Sequence, residues 1–221
     1  MADWAVDAIL QMVETKVRKE LWEAIKKRGY RTPEMRAQYA PLYPSAQYSG
    51  GITGNTGDSI RAGIALGAQT LNMQSAWAAP VFYIPGEDRG RLCTIERALP
   101  GCIMVNQAGE RYLNEAASYH VTGQVMARHQ LEHGNTSPSW MVFDATYRAK
   151  FPMGPVYPGV PDFALNPRVR KILKKGRTVE ELARQIGVNP ASLSATVQRF
   201  NLQRFSRWNL RRPHIGGAIA D

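Results

Sequence analysis

Gly109-Glu110-Arg111-Tyr112-Leu113-Asn114-Glu115-Ala116-Ala117-Ser118-Tyr119 is the stretch on which the reading of this chain turns. Upstream of it, residues 102–105 (Cys-Ile-Met-Val) form a short apolar run, followed by the turn residues Gln107-Ala108-Gly109. That order predicts a hairpin over residues 99–114, with a second strand from Arg111. Residues 115–131 predict a helix. The stretch therefore carries the chain from strand to helix, and it places Tyr119 four residues after Glu115.

Further out lies Gly54-Asn55-Thr56-Gly57-Asp58-Ser59-Ile60-Arg61-Ala62-Gly63. Pro33, Pro41, Pro44, Gly50, Gly51, Gly54 and Gly57 predict a loop over residues 30–57. Asp58 or Ser59 is expected to cap a helix that runs to about Gly67. Glycines let backbone approach a ligand closely, and a helix start offers free N–H groups. An Asp there reads equally well as a simple cap. The stretch is not a phosphate-cradling P-loop, because no Gly-Lys-Ser/Thr follows, and it is not Gly-x-Gly-x-x-Gly after a strand.

The ends of the chain differ from its middle. Val6, Ile9, Leu10, Val13, Val17, Leu21 and Ile25 recur at helical spacing and predict an amphipathic helix over residues 3–28. Lys26, Lys27 and Arg28 suit its C-terminal end, and Gly29 follows. Residues 140–144 (Trp-Met-Val-Phe-Asp) predict a buried strand, and the Pro- and Gly-rich residues 151–161 predict irregular structure. Thr178 with Glu181 forms a capping box before one helix. Asn189 caps the next, with Pro190 at its first position.

Composition narrows the classes. Hydrophobic residues make up 44% and charged residues 21% of the 221, which is globular and leaves room for one or two domains. No apolar run approaches the roughly 18–20 residues of a membrane span. Asp3 and Asp7 interrupt the N-terminus, so a signal peptide is not expected. Cys93 and Cys102 make neither a disulfide framework nor a metal cluster, which points to a reducing cytoplasm. His129 and His133 are four apart, but Gly134-Asn135 ends any helix there, and no metal site is expected. A serine hydrolase would need a Gly-x-Ser-x-Gly elbow, and the chain lacks one. The net charge of +10 sits mostly near residues 16–31 and 168–212. Such a balance can serve nucleic acid. Residues 178–201 also read as a helix-turn-helix. The start of its second helix, Pro190-Ala191-Ser192-Leu193-Ser194-Ala195, is small and nearly uncharged where a recognition helix needs groups for bases and phosphates. Nucleic acid is therefore not the expected partner.

Residues 54–63 and 109–119 together resemble two motifs of the flavoprotein family that contains fumarate reductases, succinate dehydrogenases and 3-ketosteroid dehydrogenases. The resemblance implies that Asp58 touches an FAD cofactor, with Asn55 and Gly57 beside it. It also distinguishes branches. Fumarate reductases and succinate dehydrogenases usually carry an arginine at the place of Tyr119, and a histidine at the place of Ala79, just before Pro80. Losing both removes the groups that hold a dicarboxylate. Tyr119 at this place resembles the 3-ketosteroid dehydrogenases. Residues 151–159 (Phe-Pro-Met-Gly-Pro-Val-Tyr-Pro-Gly) are similar to the substrate-capping domain of that branch. Trp77, among small apolar neighbours, would suit the wall of a pocket for a flat apolar substrate, although it reads equally as a core tryptophan.

The implied chemistry is abstraction of a proton next to a ketone by Tyr119, paired with hydride transfer to flavin. A tyrosine hydroxyl titrates near about 10 in water, so one that takes a proton needs surroundings that favour phenolate. The resemblance spans about residues 30–205. It leads to an expected α+β fold, a fragment of a two-domain FAD flavoprotein with its substrate-capping domain but without the N-terminal Rossmann-type part. The expected divisions are 1–29, a basic helix foreign to the family; 30–98, a remnant of the FAD-binding region; 99–205, the capping and catalytic region; and 206–221, a divergent tail. The expected partner is a steroid-like hydrophobic ketone, with the electron acceptor unassigned. The alternatives are the helix-turn-helix module, an inactive flavoprotein fragment and, behind both, fumarate reductase-like activity.

Overall fold

In a computed structural model of the chain, residues 32–43, 49–52, 54–74, 76 and 78–210 are described, the side chains of 204–210 excepted. The helix expected over residues 3–28, Trp77 and the tail beyond 210 lie outside them. The chain divides into two compact units. One is Met1–Glu96 with Ala117–Arg128; the other is Arg97–Ala116 with His129–Asp221.

In the first unit, helix α1 (Pro33–Tyr39) starts where the Thr32 hydroxyl accepts the Met35 N–H at 3.3 Å, with Pro33 in its first turn. It buries Met35. Helix α2 spans Asp58–Ala65. Its start differs from the sequence expectation, because the cap is Gly57 rather than the side chain of Asp58 or Ser59. Gly57 has φ +80°, and a Cβ there would meet Met35 Cε at 2.5 Å. Both the left-handed turn and the packing on Met35 demand glycine. Strands β1 (Val81–Phe82) and β2 (Arg91–Leu92) pair antiparallel, Val81 opposite Leu92.

The second unit is built on β3 (Cys102–Val105), which is buried throughout and pairs antiparallel with β4 (Trp140–Phe143), Val105 opposite Trp140. The expected hairpin is reduced to a turn and one bridge, Val105 with Arg111. The reason lies in side chains. Asn106 Oδ1 accepts the N–H groups of Ala108 at 3.0 Å and Glu110 at 2.9 Å, which makes the turn. Glu115 Oε1 then accepts the Met104 N–H at 2.8 Å, so a carboxylate, not a second strand, occupies that position beside β3.

Helix α3 runs Tyr119–His133, starting four residues later than the expected 115. Ser118 opens it, its hydroxyl accepting the Val121 N–H at 3.3 Å. Asp144 lies outside β4 and instead caps α4 (Ala145–Lys150), accepting the Tyr147 N–H at 2.7 Å. Helices α5 (Pro167–Ile172), α6 (Val179–Ile186) and α7 (Pro190–Leu210) follow. The Thr178 hydroxyl accepts the Glu181 N–H at 3.1 Å, while the Glu181 carboxylate reaches one residue further back, to the Arg177 N–H at 2.8 Å. Asn189 accepts the N–H groups of Ala191 and Ser192. Ile103, Val105, Ala183, Val188 and Leu193 form the core, flanked by Trp140, Val142 and Phe200. The first turn of α7 is part of that core: a Cβ on Gly109 would lie 2.6 Å from Val188 Cγ1 and 3.1 Å from the Leu193 nitrogen. Among the described residues, no helix is long and apolar enough to cross a membrane.

Candidate functional site

Residues 54–58 form a tight entry into α2. The Asn55 N–H reaches Ile52 O at 3.1 Å and the Thr56 N–H reaches Gly54 O at 2.9 Å. A Cβ on Gly54 would meet nothing within 4 Å, so backbone there is open to close approach. No side chain caps α2. Asp58 is half-buried and lies 3.9 Å from Arg61, a partly exposed pair worth a few tenths of a kcal/mol, by the ~0.2–0.5 typical of such helix neighbours. The Thr56 hydroxyl oxygen is buried and has no hydrogen-bond partner among the described residues.

Tyr119 is the first residue of α3 and is half-buried. One turn on, the Gln124 side-chain nitrogen stands 2.9 Å from His120 Nε2, while His120 Nδ1 is buried without a partner among the described residues. Thr122 and Gly123 are the buried residues of α3. A Cβ on Gly123 would approach the Ala78 carbonyl carbon and oxygen to 2.8 Å. The helix that begins with Tyr119 is thus pressed against the backbone beside Ala79 and Pro80. Of the residues expected from sequence, Asn55, Gly57, Asp58 and Tyr119 fall in the same unit. Trp77 lies outside the described residues.

In the second unit, residues 151–159 fold into a tight loop, closed by the Met153–Val156 bridge. Arg148 holds its far side, donating to Tyr157 O and, at 2.6 Å, to Val160 O. Tyr157 is exposed there. Burial pushes the Tyr112 hydroxyl up to about 12, against the opposite pull of its hydrogen bond with Ser139. Tyr112 is therefore a neutral donor near pH 7. Two features escaped sequence reasoning. One is the buried Glu115, bound by Arg111 and by the Met104 N–H. The i,i+4 spacing of Arg111 and Glu115 was a signal, but it normally belongs to an exposed helix face. The other is Thr56, which only burial reveals.

A model of the family described as FAD binding domain matches residues 22–206. The chain belongs to this family of flavoproteins. Within it, the 3-oxosteroid 1-dehydrogenase of Mycobacterium tuberculosis is 35% identical over 179 residues, covering 76% of this chain and 30% of that enzyme. The 4-oxocyclohexanecarboxylate 2-dehydrogenase of Sinomonas cyclohexanicum is 35% identical over 154 residues, covering 66% of this chain and 25% of that one. Among solved structures, the 3-ketosteroid delta1-dehydrogenase of Sterolibacterium denitrificans in complex with 1,4-androstadiene-3,17-dione aligns with a TM-score of 0.63 and 36% identity. That alignment covers 76% of this chain and 30% of that one. The chain spans about 30% of the length of the first of these curated relatives.

Proposed function

We propose that this chain supplies the flavin-facing and substrate-capping parts of an FAD-dependent dehydrogenase acting on a flat, apolar ketone of the 3-ketosteroid type. In this reading residues 30–98 face the flavin and 99–205 cap the substrate. One observation carries it. Tyr119 stands at the start of a helix locked to the Ala78 backbone, in a chain 35% identical to a 3-oxosteroid 1-dehydrogenase. Arginine, the proton-delivering residue of the dicarboxylate branch, is absent from that place.

The residues present fit a flavin. Gly54 leaves backbone open to a ligand, and Thr56 offers a buried hydroxyl without a partner among the described residues. Asn55, Gly57 and Asp58 would hold the cofactor, which when bound accepts a hydride. Tyr119, its own hydroxyl proton already given up, would take the proton from the carbon next to the ketone at its phenolate oxygen. Trp77 would form a wall of the substrate pocket. The electron acceptor is left unassigned. A cytoplasmic setting suits Cys93 and Cys102, which are both buried thiols outside any disulfide.

The test is the visible absorbance of the purified chain before and after adding FAD and passing it through gel filtration. A retained flavin band that is bleached by a 3-ketosteroid, with dye reduction following, is the expected result. A chain that retains no flavin is not an enzyme by itself.

A further inference from the structure

We propose that residues 157–175 form a docking surface for anionic lipid membranes. The rings of Tyr157 and Phe163 enter the headgroup layer, and the cations that follow Phe163 bind the lipid phosphates. Docking of this kind is independent of flavin binding. Phe163 is 79% exposed and Tyr157 59%. A lone exposed ring is ordinary, but these two are held outward by anchored neighbours. Leu165 and Val169, just beyond Phe163, are buried. Phe163 itself lies in a single helical turn, Asp162–Ala164, closed by the Ala164 N–H on Pro161 O at 3.0 Å. Arg148 ties the two ring-bearing stretches together. It donates to Tyr157 O and, at 2.6 Å, to Val160 O, and it stands 3.6 Å from Asp162. The Asp162 carboxylate also binds Lys175, which folds the far end of the run back to the start. That end is seated on α6, since the Gln185 side chain donates to Lys175 O and a Cβ on Gly176 would lie 2.5 Å from the Leu182 nitrogen. On this frame Arg168, Arg170, Lys171, Lys174 and Lys175 are all exposed. The one acid between 162 and 175 is Asp162, whose charge Lys175 and Arg148 already meet. A basic run alone is a solvated face. Exposed aromatic rings set among lysines and arginines are the composition of segments that lie in a membrane interface and recognise anionic lipid. The competing polyanion, nucleic acid, is read by a helix laid in a groove, and α5 has only six residues.

Sedimentation of the full chain with lipid vesicles tests this. Binding to vesicles of phosphatidylcholine mixed with phosphatidylglycerol should be at least about 10-fold tighter than to phosphatidylcholine alone, and salt should release it. Lys171→Glu combined with Lys174→Glu should weaken binding to the anionic vesicles by at least about 100-fold. Arg89→Glu combined with Arg199→Glu makes the same change of net charge outside the surface and should weaken it by less than about 5-fold. Phe163→Ala should cost about 5–10-fold, the worth of one partly inserted ring. All five positions are exposed, so every variant should melt at the wild-type temperature. A chain that does not bind anionic vesicles overturns the proposal. Equal weakening by the two charge pairs also overturns it, because the attraction would then belong to net charge and not to this surface. Unchanged binding in Phe163→Ala overturns it too, leaving a solvated basic face. A chain that ignores vesicles yet binds a DNA duplex through Lys171 and Lys174 has a nucleic-acid surface instead.

Discussion

Arg111 and Glu115 form a two-pronged ion pair, with Arg111 Nη2 2.6 Å from one carboxylate oxygen and Nε 2.9 Å from the other. The carboxylate side chain is 6% exposed and that of Arg111 29%. Glu115 also accepts the Met104 N–H, and its carbonyl accepts from the buried Arg97. One residue therefore fastens the loop before α3 to strand β3 by its side chain and to the Arg97 side chain by its backbone. The hydrogen bond to Glu115, ahead of its charge, holds the Arg111 guanidinium above the ordinary arginine range.

Glu115→Ala should lower the stability of the chain by about 3–5 kcal/mol, because it leaves a half-buried cation and a strand N–H unpaired. Urea denaturation measures this. Arg111→Met combined with Glu115→Leu should regain part of the loss, since replacing both charges removes the unpaired group. A loss below about 1 kcal/mol for Glu115→Ala would mean that the pair is only a surface contact.

Gly123→Ala sets two effects against each other. Alanine is favoured over glycine in a helix interior by about 1 kcal/mol. Here the added Cβ would stand 2.8 Å from the Ala78 carbonyl and 2.9 Å from the Ala78 Cβ. Backbone yields poorly, and overpacking costs about 1–3 kcal/mol. The clash wins, so the variant should be less stable, with its midpoint in urea shifted downward. A stabilised variant would show that α3 does not press on Ala78.

The legible parts of the sequence were those with local causes. The Thr178 and Asn189 caps depend on neighbours within a few residues, and strands β3 and β4 show as short apolar runs, although they pair with each other far apart in sequence. The hairpin failed because its second strand lost to long-range partners: β4 took one side of β3, and the Glu115 carboxylate took the Met104 N–H. The cap of α2 failed because Met35, far off in sequence, fixed glycine at 57. Asp58 and Tyr119 stood out through motif likeness. Thr56 carried no pattern at all, since an unpartnered hydroxyl is a property of packing.

Cys102 is buried on β3, with its sulfur 3.3 Å from Arg97 O. Burial, helped by the Glu115 charge, pushes its thiol up to about 12. The thiolate is the reactive form, so at pH 8 almost none is present. Treatment of the folded chain with Ellman's reagent should leave Cys102 unmodified, and it should react at an ordinary rate in denaturant. Rapid labelling in the folded state would contradict the burial.

The Asp162 carboxyl is held below the usual carboxylate range, first by its hydrogen bond from Lys175 and also by Arg148 at 3.6 Å. A lowered acid contributes stability above its unfolded range, near about 3.9, and loses it as pH falls through the folded value. Its carboxylate side chain is 35% exposed and that of Lys175 67%, so the contribution is at most about 1 kcal/mol. Denaturation midpoints between pH 5 and pH 3 should fall less steeply in Asp162→Asn than in the wild type. Equal slopes would remove Asp162 from the acid response.

Tyr119→Phe separates proton transfer from binding. The change deletes only a hydroxyl at the start of α3, where the residue is half-buried. A general base contributes about 10²–10⁴-fold to turnover. In a flavin-loaded chain that oxidises a 3-ketosteroid, the variant should therefore lose at least about 100-fold in kcat. FAD retention and the steroid KM should change little, because the ring that packs is kept. A loss confined to KM would make Tyr119 a wall of the pocket. A loss of flavin would place it with Asn55, Gly57 and Asp58 as a cofactor contact. Unchanged kcat would take proton abstraction away from Tyr119 altogether, and His120 one residue on, whose buried Nδ1 has no partner among the described residues, would be the next group to replace.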